Sequence, residues 1–376
     1  MKIDQALRQA KKAQANGQLA EARDIYLRIL TKFPKNAKAR AGLAELSAAN
    51  PPNPAEIQQL IGLFQARKFR EAAQFGTKLA QQHPDVAVIH NVLGATFAAM
   101  GQGENAEQAY CRAIKLDPKN AEIHANLARY YQGVQAHDQA IQCFQTALKF
   151  APNNPTLHYN IGLSQQILGQ IGSAIKSYQK TLGLDANLPE AWNNLGVVRQ
   201  MDGDFVGALE GYHKSLKLRN NYAEAHNNLG MLYNIQDMNA LAKDCFETAI
   251  KHNAKYIPAY TNLCELLEKL NQPQDMLRII TSAKKHFETL PADLRYFEAL
   301  GVYRQKNFEQ AQHLITDINV VQIAEQRKTS FLHLSAQIAH NLGNIDQAYD
   351  LFQQMNDSCA RSAEFAQHDV DGLFQR

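Results

Sequence analysis

The sequence predicts an all-α chain, a right-handed superhelical solenoid of stacked helical hairpins. Three observations carry this. A 34-residue pattern repeats five times without a gap from Ala87 to Tyr256, in blocks beginning at Ala87, Ala121, Pro155, Pro189 and Ala223. Within each block, position 8 is small (Gly94, Ala128, Gly162, Gly196, Gly230), position 20 is always alanine (Ala106, Ala140, Ala174, Ala208, Ala242), and position 24 is always aromatic (Tyr110, Phe144, Tyr178, Tyr212, Phe246). Helix breakers fall between these places, with Gly101, Gly169 and Gly203 at position 15 and Pro118 and Pro152 at position 32. A fixed period of this length marks stacked two-helix units. Glycine suits the left-handed residue past a helix end, and proline stops a helix.

Each block therefore holds helix A, with positions 7 and 8, and helix B, with positions 20, 24 and 27. A small residue at 8 facing alanine at 20 predicts close backbone approach, and the aromatic at 24 is expected to fill space toward the next repeat. These are the marks of the tetratricopeptide repeat, which the chain resembles over nearly its whole length. The resemblance implies that helix A lines a concave surface that takes protein ligands.

The elements follow in order. Residues 3–36 form a first repeat, with Gly17 at the turn, Ala22 and Tyr26 at positions 20 and 24, and Pro34 at 32. Residues 37–48 add one helix, closing an N-terminal unit over 1–49. Asn50-Pro51-Pro52-Asn53-Pro54 is a proline-rich joint over 50–54. Prolines at this density do not continue a helix, and Asn53 with Pro54 predicts a capped helix start. The main array spans 55–290. It opens on a degenerate repeat in which Gly76 replaces the aromatic and Phe75 serves one residue earlier. A sixth regular helix A begins at Ile257, but Met276 stands where the alanine of position 20 belongs, so the stack is expected to loosen there. Divergent hairpins occupy 291–356, with Leu300-Gly301 and Ala311 in one and Gly343, Ala348 and Phe352 in the other. Residues 357–376 are a polar C-terminal segment.

Composition excludes several classes. Lys plus Arg is 39 against 36 Asp plus Glu, with no run of five like charges, so neither a nucleic-acid patch nor a polybasic membrane anchor is expected. No stretch of 18 apolar residues predicts a membrane span. The N-terminus lacks the apolar core of a secretory signal, which places the protein in the cytoplasm. Cys111, Cys143, Cys245, Cys264 and Cys359 are an odd number with no CxxC pair, as for small helix residues in a reducing compartment.

Two rows of side chains stand out. Position 4 holds His90, His124, His158, Trp192, His226 and Tyr260. The exchange with Trp and Tyr points to rings packing between helices. No second ligand stands at i+4, so no metal is expected. Position 6 holds Asn126, Asn160, Asn194, Asn228 and Asn262, preceded by Val92. A carboxamide offers two donors and one acceptor oxygen, a match for the backbone of an extended peptide of any sequence. The row resembles the asparagine ladder of O-linked N-acetylglucosamine transferase repeats, which implies peptide-backbone contact. Its neighbours Tyr159, Gln166, Asn193, Gln200, Asn227 and Asn234 are polar and uncharged.

No phosphate loop, dinucleotide fingerprint, nucleophile elbow or HExxH occurs, so no enzyme activity and no cofactor are expected within these residues. The order of parts is informative: a hairpin unit ending RAGLAEL, a proline-rich joint, IGLFQARKFREAAQFGTKLAQQHPDVAVIHNVLG, HNNLG-like repeats, TNLCELLEKLNQ, and FLHLSAQIAHNLGNIDQAYDLFQQMN. It resembles the N-terminal region of bacterial proteins that fuse tetratricopeptide repeats to a sulfotransferase domain. That resemblance implies a recognition arm, with catalysis in a domain beyond Arg376. The alternatives are a free-standing adaptor that assembles a protein complex, and a structural homo-oligomer.

Overall fold

The structure, a computed structural model, describes residues 3–34, 36–49 and 53–360. It is all-helical among those residues, in two compact units divided between Leu184 and Asp185. The first unit opens with α1 (Ile3–Ala15) and α2 (Leu19–Lys32), followed by α3 (Ala37–Ala49). Four hairpins follow: α4 (Pro54–Gln65) with α5 (Phe69–Gln82), α6 (Ala87–Ala99) with α7 (Gly103–Leu116), α8 (Ala121–Gly133) with α9 (His137–Leu148), and α10 (Pro155–Ile167) with α11 (Ile171–Leu184). The second unit pairs α12 (Pro189–Met201) with α13 (Phe205–Leu218), α14 (Ala223–Ile235) with α15 (Asn239–His252), and α16 (Ile257–Lys269) with α17 (Pro273–Ala283). It then pairs α18 (Ala292–Arg304) with α19 (Phe308–Thr316) and, after a short 3-10 turn at Val320–Gln322, α20 (Glu325–Asn341) with α21 (Ile345–Ala360).

The sequence signals act where they were expected. Asn53 caps α4, its side chain accepting from Ala55 N, with Pro54 in the first turn. Gly17, Gly101, Gly169, Gly203 and Gly343 hold the hairpin turns at φ of 69 to 83°. Arg67, Gln135, Asp237, Asn271 and Lys306 adopt the same left-handed conformation, at φ of 52 to 63°, so the turn is kept even where a Cβ strains it.

The packing differs from the expectation in one respect. The glycine at position 8 makes room chiefly for the aromatic ring of its own repeat. A Cβ on Gly94 would meet the Tyr110 ring at 2.7 Å, on Gly162 the Tyr178 ring at 2.8 Å, on Gly196 the Tyr212 ring at 2.7 Å, and on Gly230 the Phe246 ring at 2.7 Å. The ring covers the bare backbone of helix A in its own hairpin and, as expected, also reaches the next repeat: Tyr110 shares an apolar cluster with Leu127, Phe144 with Leu157 and Ile161, and Tyr212 with Leu229. At Gly76 there is no ring, and Leu93 and Leu60 fill the place.

The second unit does not thin where the alanine at position 20 is lost. Met276 is fully buried, and one continuous apolar cluster runs from Phe246 through Leu263, Met276, Leu294 and Phe297 to Ile338. A flexible thioether fills the space that an alanine and a ring share elsewhere. Arg327 crosses this unit: its guanidinium meets Glu265 at 2.6 Å and Asp293 at 3.2 Å and lies over the Phe297 ring. In the first unit, Arg23 on α2 reaches Gln82 O at 2.8 Å and Asp85 at 3.5 Å, tying the N-terminal hairpin to the turn after α5. Of the polar segment 357–376, the first four residues complete α21, and 361–376 lie outside the described residues.

Candidate functional site

The ring row of position 4 has one shared task. His90, His124, His158 and His226 place Nε2 at 2.9, 2.9, 3.4 and 2.8 Å from the carbonyl oxygen six residues upstream. Trp192 Nε1 donates to Ala186 O at 2.9 Å, and Tyr260 OH to Ala254 O at 3.2 Å. The acceptor is a carbonyl, so the neutral imidazoles carry their proton on Nε2. What His, Trp and Tyr share is a ring with a donor at its tip, which fastens helix A to the turn that precedes it. Burial pulls the pKa of His90, His158 and His226 below the ordinary value, against the pull of the same carbonyl. Among the described residues, no group of three or more His, Cys, Asp or Glu side chains is placed to hold a metal ion.

The asparagines of position 6 are half-buried on helix A. Their environment differs from repeat to repeat. In the first unit, Asn126 Nδ2 donates to Asn91 Oδ1 at 2.9 Å, and its own oxygen accepts from Arg129. Asn160 Nδ2 turns back to Thr156 O at 2.7 Å. In the second unit, Asn228 Nδ2 donates to Asn193 Oδ1 at 3.0 Å and Asn262 Nδ2 to Asn227 Oδ1 at 2.8 Å, while Asn194 Oδ1 accepts from Asn193 at 3.2 Å. Asn91, Asn193 and Asn227 occupy position 5 and are buried. A buried carboxamide needs a partner, and the asparagine at position 6 of the next repeat supplies it. Where position 5 is Ala125, no such partner exists, and Asn160 bonds within its own helix. The carboxamide oxygens of Asn228 and Asn262 have no hydrogen-bond partner among the described residues.

A second row lies beside the amides, at positions 9 and 13 of the same helices. In the second unit it comprises Val197, Met201, Met231 and Ile235, of which Met201 is 58% exposed, Met231 40% and Ile235 56%. In the first unit Leu163 and Ile167 stand in the same places. Sequence reasoning stressed the polar residues and passed over this row. Its signal was present as Val197, Met231, Met201 and Ile235, three and seven places after each asparagine. The row ends at α16, where charge replaces it: Lys269 pairs with Asp237 at 2.7 Å, and Glu265 with Arg327. The face of α12 and α14 is therefore amide on one side and uncovered aliphatic on the other.

Cys245 and Cys264 are buried, and burial pushes both thiols up, the first to about 11. They are packing residues. No helix among the described residues is long and apolar enough to cross a membrane.

Comparison with known proteins agrees with the repeat. The tetratricopeptide repeat model matches residues 87–120, 155–188 and 223–256, and a TPR repeat model matches 135–166. No curated protein is significantly similar in sequence. Among solved structures, a tetratricopeptide repeat protein from Parabacteroides merdae aligns at 16% identity and a TM-score of 0.52, over 64% of this chain and 95% of that one. PilW, a widely conserved type IV pilus biogenesis factor, aligns at 16% identity and a TM-score of 0.50, over 55% of this chain and 96% of that one. At these identities the likeness is one of fold.

Proposed function

We propose that this chain, an array of tetratricopeptide repeats, is a scaffold whose helix A face binds an extended segment of a partner protein. The observation that carries the reading is the pairing of two rows on α12, α14 and α16. Half-buried carboxamides with open oxygens at Asn228 and Asn262 suit backbone N–H groups. The exposed Met201, Met231 and Ile235 beside them suit apolar side chains. An extended peptide presents those two features on its edge and its face. Methionine adapts to varied partners, so the surface favours breadth over a single sequence. Asn126, Asn160, Asn194, Asn228 and Asn262 are the proposed contacts. The internal bonds of Asn126, Asn228 and Asn262 each engage one N–H and leave the other free to turn outward.

The test uses random dodecapeptides displayed on phage and panned against the full chain. Peptides should be enriched, and Met201→Ser with Met231→Ser and Ile235→Ser should abolish enrichment without lowering the thermal midpoint. Equal enrichment on this variant would overturn the reading. The finer placement, as the recognition arm of a sulfotransferase-type protein, rests on the order of segments alone. It predicts a native polypeptide heavier than 42.1 kDa in an immunoblot of source cells. A band at that mass would favour the free-standing adaptor.

A further inference from the structure

The first unit breaks its own pattern once. Elsewhere a tyrosine at position 24 gives its hydroxyl to the glutamine at position 12 of the same repeat: Tyr26 to Gln14 at 3.3 Å, Tyr178 to Gln166 at 2.8 Å, and Tyr212 to Gln200 at 2.8 Å. In the α6/α7 hairpin position 12 is Ala98, and the hydroxyl of Tyr110 has no hydrogen-bond partner among the described residues. Positions 9 and 13 of the same helix are Ala95 and Ala99. Three alanines, where the preceding repeat carries Ile61, Phe64 and Gln65, leave a cavity of about 740 Å³, walled by Phe64, Val92 and Tyr130 and reaching the Tyr110 ring.

Charge is distributed unevenly at its rim. Arg129 bonds the Asn126 oxygen and has no carboxylate partner among the described residues. Glu122, also at the rim, sits in the first turn of α8, where the helix dipole already favours an anion. The cavity therefore has largely apolar walls and two donors, the Tyr110 hydroxyl and the Arg129 guanidinium, neither of which is paired with Glu122 or another carboxylate of the described residues.

We propose that this cavity takes a bulky apolar side chain of a partner peptide together with the carboxylate of an adjacent Asp or Glu, which accepts from Tyr110 and Arg129. The proposal rests on the helix A face being a peptide site and names the class of residue it selects. The volume exceeds what one side chain fills and lies in the range of ligand sites, so two neighbouring side chains suit it. The Tyr110 hydroxyl faces this cavity with no acceptor among the described residues, and a carboxylate that accepts from it forms a charge-assisted bond, stronger than one between neutral groups.

The same phage library, with each peptide fused at its C-terminus so that no free terminal carboxylate is presented, is panned against the full chain. Enriched peptides should carry an aromatic or large aliphatic residue beside Asp or Glu. An amide-capped synthetic copy should bind at least about tenfold more weakly, by fluorescence anisotropy, to Ala95→Leu with Ala99→Leu, and to Arg129→Glu. Exchanging the acidic residue of the peptide for lysine should restore binding to Arg129→Glu. Arg129 is exposed, so that variant keeps its fold. Peptides lacking the apolar–acidic pair, or affinities that neither variant changes, would overturn the proposal. If such peptides are lost on the Met201, Met231 and Ile235 serine variant alone, the cavity has no part and the helix A face still binds. If no peptide is enriched on the native chain, both readings fall.

Discussion

The ring of Tyr212 occupies the place of a missing side chain on Gly196: a Cβ there would stand 2.7 Å from it. Tyr212 is 1% exposed and gives its hydroxyl to Gln200. Gly196→Val should therefore destabilise the second unit by about 1–3 kcal/mol, the usual cost of forcing side chains apart in a packed core. Tyr212→Ala should cost more, about 3–5 kcal/mol, by leaving a void. Urea unfolding followed by far-UV circular dichroism reads both. A valine that leaves the midpoint unmoved would mean that the ring has another place to go.

The asparagine row is not uniform, and substitution separates its members. Asn228→Ala removes the partner of the buried Asn193, so it should cost about 1–3 kcal/mol. Asn160→Ala removes only a bond to its own helix carbonyl, and exposed changes of that kind stay within about 0.5 kcal/mol. Equal thermal midpoints for the two would contradict the pairing of adjacent repeats.

Acid should destabilise the fold through the half-buried position 4 histidines, by forcing a charge where they pack. His90, His158 and His226 titrate below their ordinary value of 6.5, chiefly because burial disfavours the imidazolium. The unfolded chain then binds more protons than the folded one, so stability rises with pH across this interval. It is fully present above pH 6.5 and is lost as pH falls through the folded values. The thermal midpoint should fall from pH 7.5 to pH 5. Replacing His90 and His226 by tyrosine, which serves the same bond at position 260, should flatten that slope.

Arg327 holds two acids from two other helices while almost fully covered itself. Arg327→Met should cost about 2–3 kcal/mol, since Asp293 loses a close partner while the half-exposed Glu265 regains water. Arg327→Lys should recover part of this, because a lysine keeps the charge but not the fork. Calorimetry on the full chain distinguishes the three.

Much of the fold was legible because its constraints recur. The small residue of position 8, the alanine of position 20 and the ring of position 24 each appear in every block, and the hairpins form where those residues stand. What the glycine admits was less legible. Periodicity says that a small residue is needed but not which neighbour fills the space, and here it is the ring in the same hairpin. The position 4 row could be read as packing, but its shared acceptor is a backbone carbonyl, which leaves no trace in side-chain identity. The cavity at Ala95, Ala98 and Ala99 was hidden for the opposite reason. Alanines are the commonest helix residues, and only the absence of the glutamine that serves Tyr178 and Tyr212 sets these apart.

The bond from the position 4 ring has a consequence for how such a chain could be rebuilt. Its acceptor is a main-chain oxygen six residues upstream, and any sequence provides one: proline does so at Pro84, Pro118 and Pro152 without its missing N–H being felt. Each block thus carries its own fastener, and blocks could be reordered without losing that joint. The carboxamide pairs are different. Asn228 needs Asn193 in the block before it, and Asn160, which follows Ala125, does without. Shuffling the blocks would keep the hairpins joined yet change which amides are tied and which point outward. The order of the blocks, more than their content, would then write the chemistry of the exposed face.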